Sequence, residues 1–139
     1  MHDLLEAMPK NWHNSFELVH QRFIFPSFSD ENLAKVLDGL IGCVKPGGWI
    51  QIVEPDATAR VSDPRAKAFE MMQRISGKVM RNPSPGAKVL EHLHQAGMQN
   101  VGFRAVDMQV GVSHENREIG ILGRKNFQAV LGQYMSACR

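Results

Sequence analysis

The chain has 139 residues, a length that suits one domain of roughly 100–200 residues and allows about two-thirds of the unfolded surface to be buried. Hydrophobic residues make up 43% and charged residues 22%, close to the globular average, which excludes collagen-like, coiled-coil and disordered classes. Sixteen Lys and Arg against fourteen Asp and Glu leave a net charge of +2, too small to imply a polyanionic partner by itself.

At the start, Met1-His2-Asp3-Leu4-Leu5-Glu6 places acids where a secretory signal would be basic, and no apolar run approaches the roughly 20 residues that span a bilayer. Phe16-Glu17-Leu18-Val19-His20 predicts a strand. Pro26, Ser27 and Ser29 break it, and Ser29 is placed to cap a helix whose stripe is Leu33, Val36, Leu37, Leu40, Ile41 and Val44. Lys45 is expected near the negative end of that helix, with Pro46-Gly47-Gly48 stopping it. Trp49-Ile50-Gln51-Ile52-Val53 follows, nearly continuous in hydrophobicity, as a strand covered on both faces would be. Strand, helix and strand make a β-α-β unit, with parallel strands and a right-handed crossover expected.

Asp63-Pro64 opens a further helix through Phe69, Met72, Ile75, Val79 and Met80, and Ser84-Pro85 opens another through Val89, Leu90 and Leu93 to Gly97. Residues 101–112 read as a later strand, with Val101, Phe103 and Ala105 as apolar positions. Phe127, Val130, Leu131, Tyr134 and Met135 form a last helical stripe. There is no internal repeat and no low-complexity tract. Cys43 and Cys138 are isolated and supply neither a disulfide framework nor a thiolate metal site, so a reducing compartment, cytoplasm or nucleus, is expected.

Charge is uneven along the chain. Residues 1–60 hold five basic and eight acidic groups, and residues 61–139 hold eleven and six. Arg65, Lys67, Arg74, Lys78, Arg81 and Lys88 have Glu70 as the one acid among them. A nucleic-acid patch would use them, but aromatic residues do not interleave with them as single-strand binding requires, and a solvated helix face is the preferred reading.

Phe16-Glu17-Leu18-Val19-His20-Gln21-Arg22, a helix, and then Val44-Lys45-Pro46-Gly47-Gly48-Trp49-Ile50-Gln51-Ile52-Val53-Glu54-Pro55-Asp56 resemble the class I S-adenosylmethionine-dependent methyltransferases. The likeness is strongest to their fungal small-molecule and regulatory branch, with its "FDLVHxR" strand, "KPGGW" turn and strand ending in an acid. His2-Asp3-Leu4-Leu5-Glu6-Ala7-Met8-Pro9 resembles the segment after the family's third strand, Ala96-Gly97-Met98-Gln99-Asn100-Val101 its "AGF-x-x-V" approach to the sixth, and residues 120–131 a late helical segment. The resemblance spans nearly the whole chain and implies an α/β, partial Rossmann-like methyltransferase fold. That fold would have a parallel β-α-β core, additional helices and one later strand, in a single incomplete domain over residues 1–139.

The resemblance places Asp3, Leu4 and His20 on the cofactor side, S-adenosylmethionine being the cofactor implied. A carboxylate such as Asp3 offers only acceptors, which suits an exocyclic amine or a ribose hydroxyl; the plainer role is a turn acid. His20 ends a strand, and ligands of open α/β sheets lie beyond the carboxyl ends of the strands, so the imidazole is a candidate general base for a nucleophile. The plainer role is a hydrogen-bonded strand-end residue. Arg22, Phe25, Glu54, Asp56 and Met72 are the substrate-side candidates. Arg22 is placed to pair with Glu54 or Asp56 across adjacent strands. Met72, with Phe69, Met71 and Met80, either lines a lipophilic pocket or, as the preferred reading, packs a helix core. Trp49, at the strand start, is expected in the core. His92 and His94, at i and i+2, point apart and do not share a metal.

Two family features have no counterpart in these residues: the Gly-rich loop after the first strand, since Gly47-Gly48 follows a helix and precedes a strand, and the last antiparallel strand. The chain is therefore expected to match a slice running from after the third strand to before the seventh. Its open sheet edges would be covered by a second copy or a partner subunit. The expected function is methyl transfer to a small-molecule, secondary-metabolite-like acceptor. The alternative is a repurposed methyltransferase-like domain used for binding, regulation or a cofactor-free rearrangement. Neither a membrane nor a nucleic-acid partner is expected.

Overall fold

Residues 2–58 and 66–137 are described by the computed structural model, and they cluster into two compact units, Met1–Val101 and Gly102–Arg139. Asp63-Pro64 and Cys138 lie outside the described residues, as do the side chains of Tyr134 and Met135.

In the first unit, strand β1 (Phe16–Arg22) and strand β2 (Val44–Val53) pair in parallel, with helix α1 (Asp30–Cys43) between them. This is the β-α-β unit read from the sequence. Ser29 caps α1, its Oγ accepting from Asn32 N at 3.3 Å, and Asp30 and Glu31 sit in the first turn where the helix dipole favours acids. Leu33, Val36, Leu37, Leu40 and Cys43 are the buried positions of the helix. They form the core with Met8, Phe25 and Val89, against which Leu4, Leu5, Val19, Ile50, Ile52 and Leu93 pack. Burial also pushes the Cys43 thiol up from its ordinary pKa.

The helix does not end on Pro46-Gly47-Gly48 as expected. It ends at Cys43, and Val44 is already extended and paired with Phe16. The reason is twofold. Lys45 precedes a proline, which disfavours helical dihedrals there. The last carbonyls of α1 also find donors outside the helix, since Asn14 N reaches Gly42 O at 2.9 Å and Ser15 N reaches Cys43 O at 3.0 Å. Lys45-Pro46-Gly47-Gly48 instead forms a bulge in β2, because the register runs from Phe16↔Val44 to Leu18↔Trp49. Gly47 takes φ +79°, and a Cβ on Gly48 would lie 2.9 Å from both Glu17 O and Val44 Cγ1.

Alternation along the strands separates two faces. Val19, Gln21, Ile50 and Ile52 are turned inward, while Phe16, Leu18, His20, Trp49, Gln51 and Val53 are exposed. The sheet is thus covered on one face, not two. Trp49 is 62% exposed and not a core residue, because its parity in β2 puts it on the face away from α1.

Helix α2 (Lys67–Val79) buries Met72 and Ser76, and helix α3 (Gly86–Gln95) buries Val89. Pro85, not Ser84, takes the N-cap position of α3, with no side-chain cap. Its end is as read: Gly97 at φ +75° closes a Schellman turn, with Met98 N bonded to Leu93 O and Gly97 N to His94 O. In the second unit, helix α4 (Arg117–Ala137) begins at Asn116, whose Oδ1 accepts from Glu118 N and Ile119 N. The strand expected over residues 101–112 is not formed. Residues 101–110 carry no ladder and lead into a 3-10 turn at Gly111–Ser113, and among the described residues this unit holds no strand for them to pair with.

Candidate functional site at the carboxyl ends of the strands

Both strands of a parallel pair finish at the same edge, so Arg22 and Val53, which are register partners, define one rim. The residues just after them form a hydrogen-bonded constellation. Glu54 Oε1 accepts from Gln21 Nε2 at 2.6 Å, from Ile24 N at 3.1 Å and from Phe25 N at 3.2 Å. The carboxylate thus holds the 3-10 turn Phe25–Ser27, whose first N–H groups have no partner within the turn. Phe23 N donates to Val53 O at 3.0 Å, which extends the pairing one step past the strand.

Behind this turn, Pro26 O accepts from Arg81 N and Asn82 N, and the buried Asn82 amide donates to Phe28 O at 2.6 Å. Ala57 N donates to Pro83 O at 2.8 Å. The linker between α2 and α3 is therefore stitched to both loops that leave the sheet. Lys88 Nζ completes the network with Asn82 Oδ1 at 2.7 Å and Asp30 Oδ1 at 2.6 Å, and its hydrogen bond holds the Asp30 carboxyl below its ordinary pKa.

The expected site residues divide into three groups. His20, Arg22, Glu54 and Asp56 lie at or just beyond the rim. His20 is exposed, and its Nδ1 is 2.9 Å from Gln51 Oε1, its register partner. With the Gln51 amide so oriented, Nδ1 carries the proton and Nε2 is the basic nitrogen of the neutral ring. The expected pairing of Arg22 with Glu54 is not made, because Arg22 is exposed on the face of β1 opposite the buried Gln21 that binds that carboxylate; the Arg22 guanidinium instead lies 5.8 Å from the Phe23 ring centroid. Asp56 Oδ1 accepts from Thr58 N and Thr58 Oγ1 within its own loop.

Phe25 and Leu4 belong to the core. Phe25 is 0% exposed, so its ring offers no surface to a ligand, and Leu4 packs against the core cluster. Met72 is buried too, in keeping with the helix-core reading, while Met71 is exposed.

Asp3 Oδ1 accepts from Leu5 N at 2.9 Å in an exposed turn, not from a residue of the rim. The neighbouring His2 ring meets Trp12, and Trp12 meets Phe16, which opens β1. At about 3.3 Å per residue, Phe16 lies about 13 Å along the strand from His20.

Two residues carry the rim without having been singled out by the sequence. Gln21 is 5% exposed, and its Oε1 and Glu54 Oε2 are buried acceptors with no hydrogen-bond partner. The signal was present: Gln21 is a polar residue at an inward position of a strand, alternating with Val19. The other is Phe23, 55% exposed at φ +60°, whose backbone no periodicity argument reveals. Among the described residues no group of three His, Cys, Asp or Glu is placed to hold a metal, and no helix is long and apolar enough to cross a membrane.

The N-methyltransferase verN of Clonostachys rogersoniana is 40% identical over 126 residues, which is 91% of this chain and 44% of that protein. The chain is a homologue of fungal methyltransferases. The N-methyltransferases sirN of Leptosphaeria maculans and gliN of Aspergillus fumigatus are 27% and 25% identical, over 96% and 95% of this chain and 49% of each of those proteins. The methyltransferase-like chain therefore spans about half the length of the curated relatives it matches. No family model matches it, and no solved structure gives a significant match. The parallel β-α-β core agrees with the partial Rossmann-like fold that the resemblance implied.

Proposed function

We propose that the chain takes part in S-adenosylmethionine-dependent methyl transfer to a nitrogen of a small-molecule acceptor of the secondary-metabolite type, with its 139 residues acting as one methyltransferase-like domain. The observation that carries this reading is the 40% identity over 91% of the chain to a protein named as an N-methyltransferase. Nitrogen is preferred to oxygen or carbon because that relative and the two described beside it are all named N-methyltransferases.

S-adenosylmethionine presents N–H and hydroxyl donors, which need acceptors, and a carboxylate, which needs donors. Gln21 Oε1 and Glu54 Oε2, buried and unpartnered, are acceptors of that kind. Arg22 adds an exposed cation at the same rim, so the donor set there fits the group chemically. By resemblance Asp3, Leu4 and His20 belong to the cofactor side, Asp3 offering a carboxylate acceptor in an exposed turn and Leu4 packing against the core beneath. When bound, the cofactor supplies an electrophilic methyl group on a sulfonium.

The chain's own residues then have two jobs. Positioning falls to Glu54, which fixes the turn after β1, and to Arg22 at the rim. Proton removal falls to His20, whose Nε2 accepts the proton that the amine nitrogen loses, while Gln51 orients the ring through Nδ1. A cytoplasmic setting and a second copy or partner subunit over the open strand edges complete the reading.

The second reading, a methyltransferase-like domain used for binding alone, is favoured by the placement of Gly47-Gly48. That pair sits in the bulge at the amino end of β2, opposite the rim. The deciding experiment supplies S-adenosylmethionine with a labelled methyl group and a panel of small amines and phenols. Label is expected in amine products, and His20→Ala is expected to lower kcat by about 10²–10⁴ while leaving the acceptor KM within a few-fold. An unchanged kcat in that variant would remove His20 as the base, and label confined to phenols would overturn the choice of nitrogen.

A further inference from the structure

Three non-glycine residues among those described adopt positive φ: Asn14, Asn100 and Phe23. Asparagine tolerates that region; a bulky aromatic residue there is an outlier. Phe23 is held at φ +60° because the chain on both sides of it is fixed. Its own N–H bonds to Val53 O, the next two N–H groups bond to Glu54 Oε1, Phe25 and Pro26 are buried, and Pro26 O is tied to Arg81 N and Asn82 N. A glycine would satisfy the same backbone without strain.

Packing does not explain the aromatic ring either. The core takes Phe25 at 0% exposure, while Phe23 stays 55% exposed, with the Arg22 guanidinium 5.8 Å from its centroid. The turn requires the positive φ but not an aromatic residue, and the core does not take the ring, so keeping a strained phenylalanine here points to use of the side chain. Its place, at the carboxyl ends of parallel strands, is where open α/β sheets hold small ligands.

We propose that Phe23, with Arg22 over its ring, is a stacking platform that selects a planar aromatic small molecule at this rim. A flat π system gains from offset or edge contact with the phenyl ring, and an electron-rich one gains again from the guanidinium. The statement that this planar molecule is the methyl acceptor rests on the function proposed above; the platform itself does not.

The test is a chemical-shift titration of the ¹⁵N-labelled full chain with indole as the planar probe and cyclohexanol as the non-planar control. It reads the Ile24 amide and the Arg22 Nε–H. Indole is expected to give saturable shifts at both and cyclohexanol none. Phe23→Leu and Phe23→Gly are expected to weaken indole binding at least fivefold, while Phe23→Trp keeps it within twofold. Phe23→Gly is also expected to match or exceed the parent Tm, since it relieves the φ +60° conformation. Absence of saturable indole shifts at Arg22 and Ile24, equal binding of cyclohexanol, or undiminished indole affinity in Phe23→Leu would overturn the proposal. Phe23→Leu decides the matter if the glycine variant does not fold. Phe23-dependent indole binding by a chain that transfers no methyl group would keep the platform and reject the methyltransferase reading.

Discussion

Glu54 concentrates more of the rim's order in one atom than any other side chain at the rim, since its Oε1 takes three hydrogen bonds from Gln21, Ile24 and Phe25. Removing it strands two backbone N–H groups beside a core ring, at about 1–3 kcal/mol for each group left unsatisfied. Glu54→Ala is therefore expected to lower the unfolding free energy by about 2–6 kcal/mol, measured by urea denaturation, and Glu54→Gln, which keeps a carbonyl acceptor, by about half of that. Asp30 gives a pH signature. Its carboxyl is held down chiefly by the Lys88 hydrogen bond, so its folded pKa lies below the unfolded value. The contribution is thus present above about pH 4 and lost as pH falls through the folded value. Lys88→Met is expected to flatten the fall of Tm below pH 4. The strand-end positions of His20 and Arg22 follow from the motif and are those they take in β1. Phe25, expected on the substrate side, is buried, and the exposed Phe23 beside it was not legible, because a sequence pattern does not distinguish a Phe held outward at positive φ from one packed in the core.

Helix α1 was legible because its evidence is local: Ser29 caps it and the stripe from Leu33 to Leu40 repeats at helical spacing. The end of the same helix was not, because its carbonyls are satisfied by Asn14 and Ser15, whose approach depends on the tertiary fold. The same reason leaves the expected later strand unformed, since a strand needs a neighbour as well as a pattern, and residues 101–110 have none described in their unit. Two substitutions separate local from tertiary causes. Ser29→Ala is expected to cost about 1 kcal/mol, the value of a lost N-cap. Gly48→Ala is expected to cost more, because its new methyl group meets the Glu17 carbonyl and the Val44 side chain at 2.9 Å inside the β2 bulge. Equal urea midpoints for Gly48→Ala and the parent would show that the bulge yields freely.

Across the whole molecule the sheet is the exposed element. Leu18, Trp49 and Val53 leave apolar surface on the face away from α1, where parallel sheets are ordinarily covered. The relatives that share this segment are about twice as long. Fold class was readable from one β-α-β unit, while the state of the sheet's second face was not, because it depends on what packs there. Methyl transfer from S-adenosylmethionine at the strand ends, as proposed, is tested most directly by calorimetric titration of that cofactor into the full chain, with thermal unfolding followed alongside. Saturable heat and a raised Tm are expected, both reduced in Arg22→Ala; no heat and no shift at millimolar cofactor would rule the proposed role out.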